Sequence, residues 1–149
     1  MKFSTPVQAV MTTNVISISP DSPMTRVREI FNSHTIHHIP VTGPDLQVLG
    51  IISKQDFMVL LDRKTLSGDK AAVKKNKELL ASLHASDIMI RNVATIRAED
   101  SIDLGIRVFL ENEFHALPVV DSGKLVGIIT AHDMLEFLYE KEVRNFLNR

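Results

Sequence analysis

The sequence predicts an α/β fold of the α+β type, built from two copies of one β-α-β-β-α unit, and three observations carry that expectation. The chain repeats itself: laying its second half over its first pairs Met11 with Met89, Asn14 with Asn92, Val15 with Val93, Phe31 with Phe109, His37 with His115 and Pro40 with Pro118. After a one-residue length difference in a turn, Gly50 falls on Gly127 and Asp56 on Asp133. Each copy also alternates strand-like and helix-like periodicity in the same order. Finally, 149 residues are enough for two small halves sharing a core, a size at which about 68% of the unfolded surface is ordinarily buried.

The elements can be justified in turn. Val15 to Ile18 and Val93 to Ile96 are short β-rich runs that open the copies. Ser22 before Pro23, and Asp100 before Ser101, stand as N-caps, with proline suited to a first helical turn and Asp103 able to complete a cap. Apolar Met24, Val27, Ile30 and Phe31, like Ile102, Gly105, Val108 and Phe109, then share one helical face. Each helix must stop ahead of Pro40 or Pro118, because the residue before a proline is pushed into extended geometry. Gly43, Pro44 and Asp45, and Asp121, Ser122 and Gly123, mark a hairpin turn in each copy. The returning strands are Val48 to Ile52 and Leu125 to Ile129, and the hydroxyls of Ser53 and Thr130 open a second helix. Gly50 and Gly127 suit close approach of a strand or a ligand, or a packing need for a missing side chain; Met11 and Met89 read as core filler.

These signals divide the chain into a first repeat (1–61), a charged and partly helical connector (62–84) and a second repeat with a C-terminal helix (85–149). That last helix, from Asp133 to Leu147, offers Leu135, Leu138, Phe146 and Leu147, more apolar surface than a monomer's edge helix needs, and points to a partner helix.

Composition excludes several function classes. With 17 basic against 18 acidic residues and a net charge of -1, there is no basic excess of the kind a nucleic-acid backbone demands. Cysteine is absent, which removes disulfides, thiol nucleophiles and cysteine zinc sites. No apolar run is long enough to insert into a membrane, and MKFSTPVQAV resembles neither a signal nor a transit peptide, so a cytoplasmic location is expected. Nothing assembles a nucleophile with base and orienter or a glycine-rich phosphate loop, so no catalysis is expected. His34, His37 and His38 have metal-ligand spacing for one helical face. Pro40, however, draws His38 out of helical geometry, no carboxylate completes the set, and the second copy keeps only His115, so no metal site is expected. His84 and His132 are expected to face solvent.

The ordered elements VMTTNVISISPDSP and IMIRNVATIRAEDS, then HHIPV and HALPVV, then GIISKQD and GIITAHD, resemble a tandem pair of cystathionine-beta-synthase (CBS) domains, often called a Bateman module. The resemblance covers about residues 7–61 and 85–138. It implies two repeats related by a pseudo-twofold axis, with clefts between them that bind adenosine-containing ligands such as AMP, ADP, ATP, S-adenosylmethionine or NAD. It also implies a regulatory, non-catalytic role with no required cofactor, homodimers formed through helices, and control of an enzyme, channel or transporter in cis or in trans, a separate effector protein being one such partner.

Under this resemblance Ser53 with Asp56, and Thr130 with Asp133, suit a ribose, whose neighbouring hydroxyls donate to a carboxylate. Phosphate would fall to His37, His38, His115 and Lys54. Val15, Ile16, Ile36, Val93, Ala94 and Phe114 would wall an adenine slot. The residues alone more readily describe two helix N-cap boxes, the resemblance favours a ribose contact, and both roles can coexist. The copies differ: His37-His38 in the first stands against His115-Ala116 in the second. A competing function is a dimerisation or protein-interaction module without a ligand.

Overall fold

Sequence repetition and spatial compactness cut the chain at different places. In the computed structural model, which describes residues 3–61 and 68–148, residues 16–93 form one compact unit, and residues 1–15 join 94–149 in the other.

In the 16–93 unit, Ile18 forms a parallel bridge to Val41 before α1 (Met24–Ser33). The N-cap is Pro23, with φ -67° and ψ 149° and no side-chain bond, one residue beyond the expected Ser22. Ser22 is committed elsewhere: its N–H donates to Ser19 O at 3.1 Å, its carbonyl accepts from Ala85 at 2.8 Å, and its hydroxyl pairs with Ser19 at 3.2 Å. The predicted apolar face is real, with Met24, Val27, Ile30 and Phe31 all buried. Strands β1 (His38–Thr42) and β2 (Val48–Ser53) pair antiparallel, with Ile39 opposite Ile52 and Val41 opposite Gly50. Then come α2 (Lys54–Leu60), α3 (Lys70–Ser82) and the short α4 (Ala85–Ile88). The connector is thus helical over 70–82, started by Asp69 accepting from Ala71 N–H at 2.9 Å, while its residues 62–67 lie outside the described residues. Helix α3 buries Ala72, Asn76 and Leu80 and packs on α1. Phe31 and Phe57 close the core with ring centroids 5.6 Å apart.

In the other unit the order is β3 (Ile96–Arg97), α5 (Ile102–Glu111), β4 (Ala116–Asp121), β5 (Lys124–Thr130) and α6 (Ala131–Leu147). Strand β3 runs parallel to β4, which pairs antiparallel with β5. The β4–β5 turn places Ser122 (φ 50°) and Gly123 (φ 78°) in the left-handed region, the requirement of a primed hairpin turn. Ser101, not Asp100, caps α5, accepting from Leu104 N–H at 3.3 Å. Asp100 is occupied by Arg97, whose backbone N–H and guanidinium both donate to it at 2.9 Å, and Asp103 pairs with Arg107 at 3.0 Å instead of completing a cap. On α5, Ile102 and Gly105 are buried, while Val108 and Phe109 are half-buried.

Each returning hairpin strand gains a further partner. Thr12 exchanges two backbone bonds with Ile128 (2.9 and 3.0 Å), and Ile90 exchanges two with Ile51 (2.9 and 3.1 Å). The repeated glycines are what let these segments in. A Cβ on Gly50 would lie 2.7 Å from Met89 Sδ and 2.8 Å from Ile90 O; one on Gly127 would run into Met11 Sδ and sit 2.9 Å from Thr12 O. Of the alternatives open from sequence, the crossing chain and its methionine occupy the space. Among the described residues no helix is long and apolar enough to cross a membrane.

Candidate ligand site at the hairpin–helix junctions

In the 16–93 unit, strand register sets Ser53 opposite His38, and Lys54 N–H donates to the His37 carbonyl at 2.7 Å. Ser53, extended at φ -86° and ψ 150°, caps α2. Its Oγ accepts from Asp56 N–H at 3.0 Å and donates to Asp56 Oδ2 at 2.6 Å. His37, His38, Ser53, Lys54 and Asp56 therefore converge on one end of the hairpin. His38, Ser53, Lys54 and Asp56 are half-buried, His37 is exposed, and Ile16 and Ile36 pack at the margin of the core. Val93, the last residue of the unit, is half-buried.

The other unit repeats the geometry. Thr130 lies opposite Ala116 and caps α6 with a complete box. Asp133 Oδ2 accepts from Thr130 N–H at 2.7 Å and Oγ1 at 2.8 Å, while Asp133 N–H donates to Oγ1 at 3.2 Å. His115 and Phe114 are exposed; Val15 and Ala94 are half-buried. A recess of about 190 Å³ beside Asp133 is lined by Ala9, Val10, Glu136, Phe137 and Glu140, so this face of α6 is acidic, with Glu140 answered by Arg144 at 3.6 Å.

The N-cap reading is thus realised twice. Both caps use Oδ2 of the aspartate, leaving Oδ1 outside the cap, so a carboxylate that orders a helix start still presents an acceptor. The predicted residues of each repeat are split between the units: His37, His38, Ile36, Ser53, Lys54, Asp56, Ile16 and Val93 in one, and His115, Phe114, Thr130, Asp133, Val15 and Ala94 in the other.

The histidine triplet does not share a helical face, because α1 ends at Ser33 and His34 is its C-cap. His34 Nδ1 lies 2.9 Å from Ser33 Oγ and 3.3 Å from Ile30 O. Among the described residues no group of three His, Cys, Asp or Glu could hold a metal. His132 and His84 are exposed, and His84 also starts α4, its N–H donating to Asp87 Oδ2 at 2.9 Å. The three-residue spacing of His84 and Asp87 is the signal that would have found this. The strongest ion cluster lies elsewhere. Burial pushes the Asp100 carboxyl up, but the hydrogen bonds and charge of Arg97 outweigh it and hold the group below its ordinary 3.8. Asp100 and Glu99 in turn raise the Arg97 guanidinium.

The expected opening strands Val15–Ile18 and Val93–Ile96 shrink to a single bridge at Ile18 and to Ile96–Arg97, but both copies keep the helix, hairpin and second helix and end the hairpin in a hydroxyl–aspartate cap, which defines a tandem pair of small α/β modules. The chain belongs to the CBS domain family, which matches residues 7–63 and 85–140. Inosine-5'-monophosphate dehydrogenase of Thermoplasma acidophilum is 31% identical over 129 residues, covering 86% of this chain and 22% of that protein. The chain spans between 22% and 42% of the first three curated relatives. Among solved structures, the CBS-pair protein CBSX2 of Arabidopsis thaliana superposes with a TM-score of 0.78 at 21% identity, covering 92% of this chain and 96% of that one. Its complex with AMP gives 0.74 at 23%, covering 92% and 98%. The CBS domain pair of MJ0100, in complex with 5'-methylthioadenosine and S-adenosyl-L-methionine, gives 0.71 at 23%, covering 92% and 98%. These likenesses show the fold.

Proposed function

We propose that the chain is a non-catalytic, cytoplasmic regulatory module that binds an adenosine-containing ligand, from the set AMP, ADP, ATP, S-adenosylmethionine and NAD, at its hairpin–helix junctions. The observation that carries the reading is the duplicated junction itself, where Ser53 with Asp56 and Thr130 with Asp133 share the same hydroxyl–carboxylate and N–H–hydroxyl bonds and leave a carboxylate oxygen outside the cap. The complexes of structural neighbours with AMP and with S-adenosyl-L-methionine support it. In this reading those four residues bind ribose, and His37, His38, His115 and Lys54 serve phosphate. Val15, Ile16, Ile36, Val93, Ala94 and Phe114 serve adenine. No further cofactor and no metal is required. Output requires a ligand that binds two conformations unequally, since equal affinity shifts nothing, and it passes through oligomerisation or to an effector regulated in cis or in trans.

A second reading, a dimerisation or interaction module without a ligand, draws on α6, where Leu135, Tyr139 and Phe146 are 66%, 72% and 77% exposed. A homodimer through this face is compatible with both. Thermal unfolding of the wild type, Asp56→Ala and Asp133→Ala with each nucleotide separates them. A ligand at 100 times its dissociation constant stabilises by about 2.7 kcal/mol. A shift in the wild type that one Asp change abolishes supports sensing, whereas no shift with any ligand leaves the interaction module.

A further inference from the structure

We infer that helix α3 is a docking surface for a second copy of this chain, its lysine row pairing antiparallel with an acidic row on the other copy's α6. The inference goes beyond the nucleotide reading and stands whether or not a ligand binds. Helix α3 lies between the two ranges that match the family, 7–63 and 85–140, so its outer face is not part of the shared repeat. The inner face is spent, with Ala72, Asn76 and Leu80 buried. The outer face carries Lys70, Lys74 and Lys77, all exposed, in one stripe about 10 Å long. Like charges three and four residues apart destabilise a helix, and nothing within the copy relieves them. Other helices pair their cations, Arg26 with Glu29, Arg107 with Asp103 and Arg144 with Glu140. Among the described residues these three lysines have no acidic partner.

The charge balance selects a compact partner. Helix α3 holds four lysines and one glutamate, a net +3, in a chain of net charge -1, so the rest of the chain carries -4. An extended polyanion, such as a nucleic acid or an anionic membrane, would attract α3 and repel that remainder, whereas a short acidic row meets α3 alone. Helix α6 presents such a row in Asp133, Glu136 and Glu140. Its spacing of three then four residues mirrors the four then three of the lysines. Antiparallel alignment therefore sets Lys77 by Asp133, Lys74 by Glu136 and Lys70 by Glu140. Glu136 is exposed and has no cation of its own among the described residues, while Glu140 is held by Arg144 only at 3.6 Å. The flanks favour the same orientation. Val73, 40% exposed, borders the lysine row on the side that an antiparallel partner meets with Tyr139 and Val143, the exposed apolar neighbours of the acidic row.

Sedimentation velocity of the full chain at low ionic strength, where exposed charges are least screened, tests this on the wild type, Lys74→Glu, Glu136→Lys and the double variant. The wild type should self-associate. Each single reversal turns an attraction into a repulsion and should raise the dissociation constant about tenfold. The double variant should return to the wild-type value. An equimolar mixture of the two single variants should associate more tightly than either alone, because the matched rows then lie on different copies. A wild type that stays monomeric, association indifferent to both reversals, or a mixture no tighter than its components overturns the inference. So does a monomeric wild type whose Lys74→Glu variant loses binding to phosphatidylserine vesicles or to a DNA duplex, since the lysine row then serves a polyanion.

Discussion

Replacing Gly50 with alanine should destabilise the protein through one crowded contact. The new methyl would sit 2.7 Å from Met89 Sδ and 2.8 Å from the Ile90 carbonyl. The sulfur belongs to a flexible side chain, but the carbonyl is backbone and accepts the Ile51 N–H at 3.1 Å. To admit the methyl, the 88–91 segment must back away by several tenths of an ångström, stretching both Ile51–Ile90 bonds. Overpacking ordinarily costs about 1–3 kcal/mol, and each weakened backbone bond is worth about 1 kcal/mol, so the sum falls near 2–3 kcal/mol. At about 2–4 °C per kcal/mol for a chain of this size, the midpoint should drop roughly 4–12 °C. Thermal unfolding of Gly50→Ala, Met89→Ala and the double variant checks the origin. The double variant should be less destabilised than the sum of the singles, because removing the sulfur relieves only half the clash. A Gly50→Ala midpoint within about 1 °C of wild type would refute the close-approach argument.

Other perturbations should behave as follows. Gly105→Ala should be nearly neutral, within about 1 kcal/mol, because the obstructing atom is the terminal methyl of Met134 and alanine gains about 1 kcal/mol of helix propensity over glycine; urea unfolding reads the difference. Ser53→Ala and Thr130→Ala should each cost the unliganded protein about 1–2 kcal/mol, with Thr130→Ala costing no more than Ser53→Ala, since the backbone N–H of residue 130 keeps its bond to Asp133 while the cap at Ser53 runs through the hydroxyl alone; urea midpoints of the two variants decide the order. For Asp100, whose folded value lies below its ordinary 3.8, the ionised carboxylate stabilises the fold above that ordinary value, and the contribution is lost as pH falls through the lowered one. The stability gap between wild type and Asp100→Asn, followed by unfolding across acid pH, should therefore be flat above 3.8 and shrink below it. Glutamate at both Leu135 and Tyr139 should convert a homodimer to monomers in sedimentation velocity if α6 forms the interface.

Short-range chemistry was the legible part. A hydroxyl three residues before an aspartate announced both second-helix caps, and apolar spacing announced the buried face of α1. Where two polar residues competed for a role, the sequence was ambiguous. Ser22 and Asp100 both read as caps, but each is drawn into a turn or an ion pair, and the helices start one residue later. The pairings of Thr12 with Ile128 and Ile90 with Ile51 have no local signature, since a backbone bond between distant segments leaves no mark in either side-chain pattern. The only trace is a glycine repeated at matching places, whose purpose stays open until the crossing chain is seen beside it. The aspartates' second oxygens belong to the same class: spacing shows that a carboxylate is present, and only geometry shows how much of it the cap consumes.

The discontinuity of the second compact unit bears on the order in which the chain can assemble during synthesis. Residues 16–93 are continuous, so that unit has all its parts once residue 93 has emerged from the ribosome. Residues 3–15 lack theirs at that moment: Thr12 pairs with Ile128, and the Val7 N–H donates to the Asp100 carbonyl. The other unit can therefore close only after residue 128 has been made, and a chain held between the two events carries one finished unit beside a segment whose backbone groups still await their partners.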